Sequence, residues 1–180
     1  MKYTKVGNVL LPKANRQSDA GIDLFIPANW NNGQDYKLYF GEQINIPSQI
    51  KFDIPKAIAL QIENKSSIST KLGTTRGATT CDHSYRGIVH INLHKGVIGS
   101  EDLYDDENGN AHRFDELKTH EERKIHMCDA YAVIKPNMKI AQAIMFKISD
   151  EEIEEISNEE YDLVKTDRGV KGFGEGTGQN

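Results

Sequence analysis

Five short stretches of this chain carry residues able to handle a phosphorylated ligand. SDAGIDL (18–24) sets the carboxylates of Asp19 and Asp23 around a glycine, a pattern that serves an Asx turn as readily as a cation. NKSSIS (64–69) offers the Lys65 ammonium and the hydroxyls of Ser66 and Ser67, donors suited to phosphate oxygens, although serine-rich loops are common. TTCDHSYRG (79–87) places Asp82 three residues before Tyr85 at the head of an apolar run. KIAQAIMFKI (139–148) carries Gln142, and TDRGVKGFGEGTGQN (166–180) gathers glycines around Arg168 and Phe173. Glycine lets backbone N–H groups approach a ligand closely, and a run of them makes a nest for anions. A frayed terminus would explain the glycines equally well, but a solvated tail has little use for Phe173. His112, His120, His126 and Cys128 share one segment without matching a zinc spacing. Neither a P-loop nor a nucleophile–His–acid set is present.

The elements that must position these residues read as β-structure. KLYF, EQINIP, IKFDIP, AIALQIE, GIVHINLH, AYAVIKP and KIAQAIMFKI recur at short intervals, several with period-two alternation, and Pro, Gly and Asn punctuate them. That rhythm argues an all-β sandwich or barrel. Residues 97–130 interrupt it with a polar excursion that reads as a loop with one short helix. Residues 150–164 place Ile153, Ile156 and Val164 at loosely helical spacing in a very acidic stretch.

A chain of 180 residues is expected to form one domain. The net charge of −5 is unevenly spread. Residues 97–130 hold four Lys/Arg against ten Asp/Glu, and 150–162 hold eight acidic residues and no basic one, so the remainder is net basic. A basic body suits an anionic ligand, but no Lys/Arg stripe with interleaved aromatics marks direct nucleic-acid binding. No apolar run reaches the length of a membrane span, and the first residues lack a secretory signal pattern. Two cysteines make no disulfide framework, so a cytoplasmic location is expected.

Taken in order, the five stretches resemble the five motifs of the dUTPase family over nearly the whole chain except 97–130. The resemblance implies a jelly-roll-like β subunit in a homotrimer, with active sites at subunit boundaries. It implies hydrolysis of dUTP to dUMP and diphosphate with Mg²⁺, which limits uracil incorporation into DNA and supplies dUMP. Asp82 would activate the attacking water, and Tyr85 would lie against the deoxyribose. Backbone groups from Thr79 through Cys81 to Asp82 would meet uracil. Lys65, Ser66, Ser67 and Gln142 would meet the phosphates, and Asp23 would orient a water of a Mg²⁺ held mainly by phosphate oxygens. Arg168, Gly172, Phe173 and Gly174 would form a closing lid at 166–180.

Three positions depart from the family pattern. Lys65 stands where arginine is usual, Thr79 where glycine is usual, and FGEGTG is one residue longer than the common form. The dCTP deaminase branch, including bifunctional members, shares the fold, but Asn92 stands where its acid/base glutamate is sought. Some phage members carry an insert between the third and fourth motifs and use the protein in signalling. That points to a phage source, hence a host cytoplasm, and to a protein partner reached through 97–130. The plainer reading of the insert is a solvated loop. Carrying none of the motifs, it is expected to be dispensable for hydrolysis.

Overall fold

A computed structural model describes residues 1–10, 20–77, 79–149 and 152–165. All seven alternating runs are strands. In chain order the elements are β1 (Lys2–Lys5), β2 (Gly21–Phe25), β3 (Tyr36–Tyr39), β4 (Gln43–Pro47), β5 (Ile50–Asp53), β6 (Ile58–Asn64), α1 (Ser66–Leu72), β7 (Thr74–Arg76), β8 (Thr80–Cys81) and β9 (His90–Lys95). They continue with β10 (Leu103–Asp105), β11 (Ala111–Arg113), α2 (His120–His126), β12 (Tyr131–Ile134), β13 (Lys139–Lys147) and α3 (Asn158–Asp162).

The strands pair antiparallel in sheets ordered β2-β13-β6-β8, β4-β9-β7, β11-β10-β12-β3 and β1-β5. The all-β expectation therefore holds. Alternation in the sequence becomes alternation of faces. In β9, Ile91, Leu93 and Lys95 turn inward while His90, Asn92 and His94 face outward. One apolar core includes Leu24, Ile46, Leu60, Ile91, Ile134 and Ile140, these six at most 1% exposed. No helix among the described residues is long and apolar enough to cross a membrane.

NKSSIS ends β6 and starts α1, a short helix that buries Ile68 and Leu72 and ends at Gly73 with φ +57°. One expectation is corrected: 97–130 holds the short helix read from its sequence but is not a plain solvated loop. It contains the β10–β11 hairpin, turned at Gly109 (φ +80°), and a capped helix. Thr119 accepts from the Glu122 N–H, and the Glu122 carboxylate accepts from the Thr119 N–H, a capping box. A second apolar cluster of Phe114, Leu117 and Ala130, with Ile98 and Tyr104 against it, lies beneath these elements. The insert thus carries its own small core.

The described residues fall into two compact units, one within 1–149 and one within 152–165. The described part of the second holds α3, opened by a Ser157–Glu160 capping box. Of the apolar residues read as helical, Ile153 and Ile156 precede α3 and Val164 follows it. The lid residues Arg168, Gly172, Phe173 and Gly174 lie outside the described residues, as does Asp19.

Candidate functional site

The DHSYRG turn builds itself from its own residues. Asp82 Oδ1 accepts hydrogen bonds from the Ser84 hydroxyl (2.6 Å), the Ser84 N–H (2.8 Å) and the Tyr85 N–H (3.0 Å). This is an Asx-type turn, and it leaves Oδ2 as the oxygen the turn does not use. The Ser84 hydroxyl, then the backbone N–H groups, hold the carboxyl below the usual aspartate range, so Asp82 is ionised at neutral pH. Tyr85 donates to the Ile88 carbonyl at 2.7 Å. Its ring lies over Gly87, where an added Cβ would come within 2.5 Å of the phenol oxygen. The glycine is therefore the floor on which the tyrosine rests.

Thr79, Thr80, Cys81, Asp82, Tyr85 and His90 line a pocket of about 440 Å³. β8 forms its wall as the edge strand of its sheet, so backbone groups on the open side of Thr80–Cys81 are presented to a ligand. The Thr79 carbonyl is already used, accepting from the Ile62 N–H at 2.9 Å. Burial, with the Asp82 charge adding, pushes the Cys81 thiol up, so its side chain is a neutral packing group. His90 is a pocket residue that the motif reading missed. The outward phase of β9 was the signal for it.

The other candidates sit on one sheet face. Asp23, Gln142 and Glu63 are mutual register partners across β2, β13 and β6, so their side chains share that face. A bulge at Ile140 shifts the register, pairing Lys139 with Phe25. Without it Lys139 would point to the opposite face. Instead Lys139 and Lys65 each bond one oxygen of the buried Asp23 carboxylate, both at 2.7 Å. Burial pushes that carboxyl up, but the hydrogen bonds from Lys139 and Lys65 outweigh it, and the net shift is downward. Glu63 pairs with Arg76. Ser66 and Ser67 are exposed at the start of α1, directly after Lys65. The result is a row of two carboxylates and an amide ringed by three cations.

Within one chain these form two groups rather than one. Cys81 pairs with Leu60, whereas Lys65 follows the far end of β6. Five residues of strand separate them, roughly 16 Å. Because β8 runs antiparallel to β6, Asp82 continues away from Lys65. Among the described residues no group of three His, Cys, Asp or Glu could hold a metal ion. Asn92 lies outside the pocket lining, accepting from the Gln43 side chain at 3.0 Å and covering Gly77.

No family model matches the chain. Among curated proteins it is 30% identical over 167 residues to the deoxyuridine 5'-triphosphate nucleotidohydrolase of Clostridium novyi, covering 92% of this chain and 89% of that one. It is 28% identical over 179 residues to the protein of the same name from Fusobacterium nucleatum, covering 97% and 94%. Solved structures share the fold, among them two phage enzymes. The dUTPase of Staphylococcus bacteriophage 80alpha with dUpNHpp gives a TM-score of 0.68 at 20% identity, over 97% of this chain and 96% of that one. The dUTPase of phage phi11 of S. aureus, described for its species-specific insert, gives 0.62 at 20% identity, over 87% and 96%.

Proposed function

The chain belongs to the dUTPase family and hydrolyses dUTP to dUMP and diphosphate, and we propose that Asp82 is its general base and that each site is completed between two copies of the chain. The observation that carries this reading is the separation of the two groups. A base must lie within hydrogen-bond reach of the water it activates. The phosphate donors must touch the same triphosphate, and a gap of roughly 16 Å along β6 keeps them from doing so within one chain. A second copy supplying the other half closes the gap, and a closed ring of copies, a homotrimer, satisfies every half at once.

In that arrangement uracil meets the open edge of β8, and the Tyr85 ring, fixed by Gly87 and the Ile88 carbonyl, packs against deoxyribose where a 2′-hydroxyl would collide. Water attacks the α-phosphorus, its proton passes to Asp82 Oδ2, and the bond to the β-phosphate breaks to release diphosphate. Lys65, Ser66, Ser67 and Gln142 of the other half hold the phosphate chain. Arg168, Gly172, Phe173 and Gly174, outside the described residues, are assigned to the nucleotide as a lid.

The described residues suit a Mg²⁺ carried in by the triphosphate, since among them no carboxylate group forms a cage for an ion and both oxygens of Asp23 are engaged by lysines. Bound there, Mg²⁺ would screen phosphate charge. Phosphate oxygens would compete for the same lysines, which would free Asp23 to hold a water of that ion. The chemistry is that of a cytoplasmic nucleotide-pool enzyme. Deamination lacks its proton carrier, because asparagine at position 92 cannot shuttle a proton.

A second activity, protein binding through the insert, is favoured by one observation. Ile98, Phe114 and Met127 line a pocket of about 600 Å³ there together with Asp115, His120, Arg123 and Lys124.

Complementation tests the shared site. Asp82→Asn and a Lys65→Ala/Ser66→Ala variant should each be nearly inactive, and co-expression should restore turnover well above either. A mixture no more active than its components, in a confirmed mixed oligomer, places the whole site in one chain and sinks the reading.

A further inference from the structure

The insert and the phosphate-side group meet through α1. The last carbonyls of a helix have no partner inside it, and here the insert supplies them. The N–H of Ser100 donates to the Thr70 carbonyl (3.1 Å), that of Glu101 to Lys71 (2.8 Å), and that of Val97 to Gly73 (3.3 Å). A Lys71–Glu101 ion pair of 2.6 Å lies alongside. Two glycines let the backbones close. A Cβ on Gly99 would fall 2.2 Å from the Lys71 carbonyl oxygen, and one on Gly73 would fall 2.0 Å from that of Val97.

Beneath this junction lies a fully buried ion pair. The Lys95 ammonium, at the end of β9, donates to Asp102 Oδ2 and to the Val97 carbonyl, each at 2.5 Å. Oδ2 also accepts from the Gly99 N–H at 2.7 Å. The pair therefore ties the first six residues of the insert to the sheet that carries β9. Burial alone pushes Asp102 up and Lys95 down, so such a pair persists only where geometry compensates.

α1 spans two turns, too short to hold its shape alone. Its far end carries Lys65, Ser66 and Ser67. We propose that Lys95, Gly99 and Asp102 are positioning residues for the phosphate-side group: the root of the insert clamps the C-terminal end of α1 and thereby sets where Lys65 and Ser66 stand. The proposal rests on the reading that the start of α1 meets the phosphates. It divides the insert in two: residues 97–102 belong to the enzyme, and only what lies beyond them is dispensable. A deletion that began at Ser100 would strip two caps from α1 and leave Lys95 buried without its partner.

The test measures affinity for a non-hydrolysable dUTP analogue with Mg²⁺ and, separately, for deoxyuridine, which has no phosphates. Lys95→Met/Asp102→Leu replaces the buried pair with apolar groups, an exchange that is often neutral for folding. It should weaken the analogue about five- to tenfold and leave deoxyuridine unchanged. Lys71→Ala/Glu101→Ala, a surface change that does not threaten the fold, should weaken the analogue in the same direction by less. Ser66→Ala tests the underlying reading. If it leaves the analogue's affinity intact, phosphates do not meet α1 and the proposal falls with that assignment. If Ser66→Ala weakens binding but neither pair variant does, the assignment stands and the clamp is refuted. Equal loss of both ligands in the buried-pair variant also overturns it, since that is general damage rather than positioning.

Discussion

The Asp82–Tyr85 pocket and the Asp23 sheet face are built on opposite principles. The pocket turn is held by bonds between residues two or three apart, Asp82 to Ser84 and Tyr85, and Tyr85 to Ile88. That face is held by Asp23 of β2, Lys65 at the cap of α1 and Lys139 of β13, the first two 42 positions apart in sequence. A local turn draws its bonds from neighbours in sequence, and here it stays exposed. A long-range cluster exists only when the sheet has closed, and it carries a buried charge. Damage to the first should therefore cost chemistry and spare the fold, while damage to the second should cost stability as well.

The largest expected effect breaks the chemistry alone. In Asp82→Asn the side-chain oxygen still accepts from the Ser84 and Tyr85 N–H groups, so the turn and nucleotide binding persist. Loss of the base should lower kcat by about 10²–10⁴-fold. Near-normal turnover, measured by diphosphate release, would remove Asp82 from the mechanism.

Asp23→Asn probes the other principle. The neutral amide leaves two ammonium groups without their counter-charge, at a cost of about 1–3 kcal/mol at neutral pH. The pH dependence has a definite sign. Because the Asp23 carboxyl is lowered in the folded protein, its contribution is present above the unfolded value and is lost as pH falls through the folded one. Urea melts should thus show wild type and variant converging below about pH 4. A gap that stays constant on acidification would mean the ion pairs contribute nothing specific.

The smallest effect sharpens the local side. Ser84→Ala removes the hydroxyl that does most to hold Asp82 down, so the acid limb of the kcat/KM profile should move to higher pH, toward the ordinary aspartate value. If the limb does not move, the titrating group is not Asp82.

The same contrast explains what could be read in advance. Strand runs and the DHSYRG turn are legible because alternation and Asx chemistry act between near neighbours. α1 was hidden because it is only seven residues long and its N-cap, Lys65, makes no side-chain capping bond. Its stability comes from Ile68 and Leu72 in the core and from caps supplied by the insert. Lys139 read as one more cation in a strand, since only a bulge turns it toward Asp23. His90 lay in the outward phase of β9, yet nothing in its neighbours linked it to residues 79–85.

By itself, then, the sequence determined the all-β class, the order of the motifs, the family and the turn that presents Asp82, all properties of residues that act on near neighbours or in fixed order. Tertiary structure alone decided which distant residues share a face, that the two groups of candidate residues stand apart within one chain, and that Lys95 closes on Asp102 beneath the insert. Those depend on register, on a one-residue bulge and on burial. Each exists only once strands remote in sequence have paired, because a charge is expensive to bury until its partner is in place.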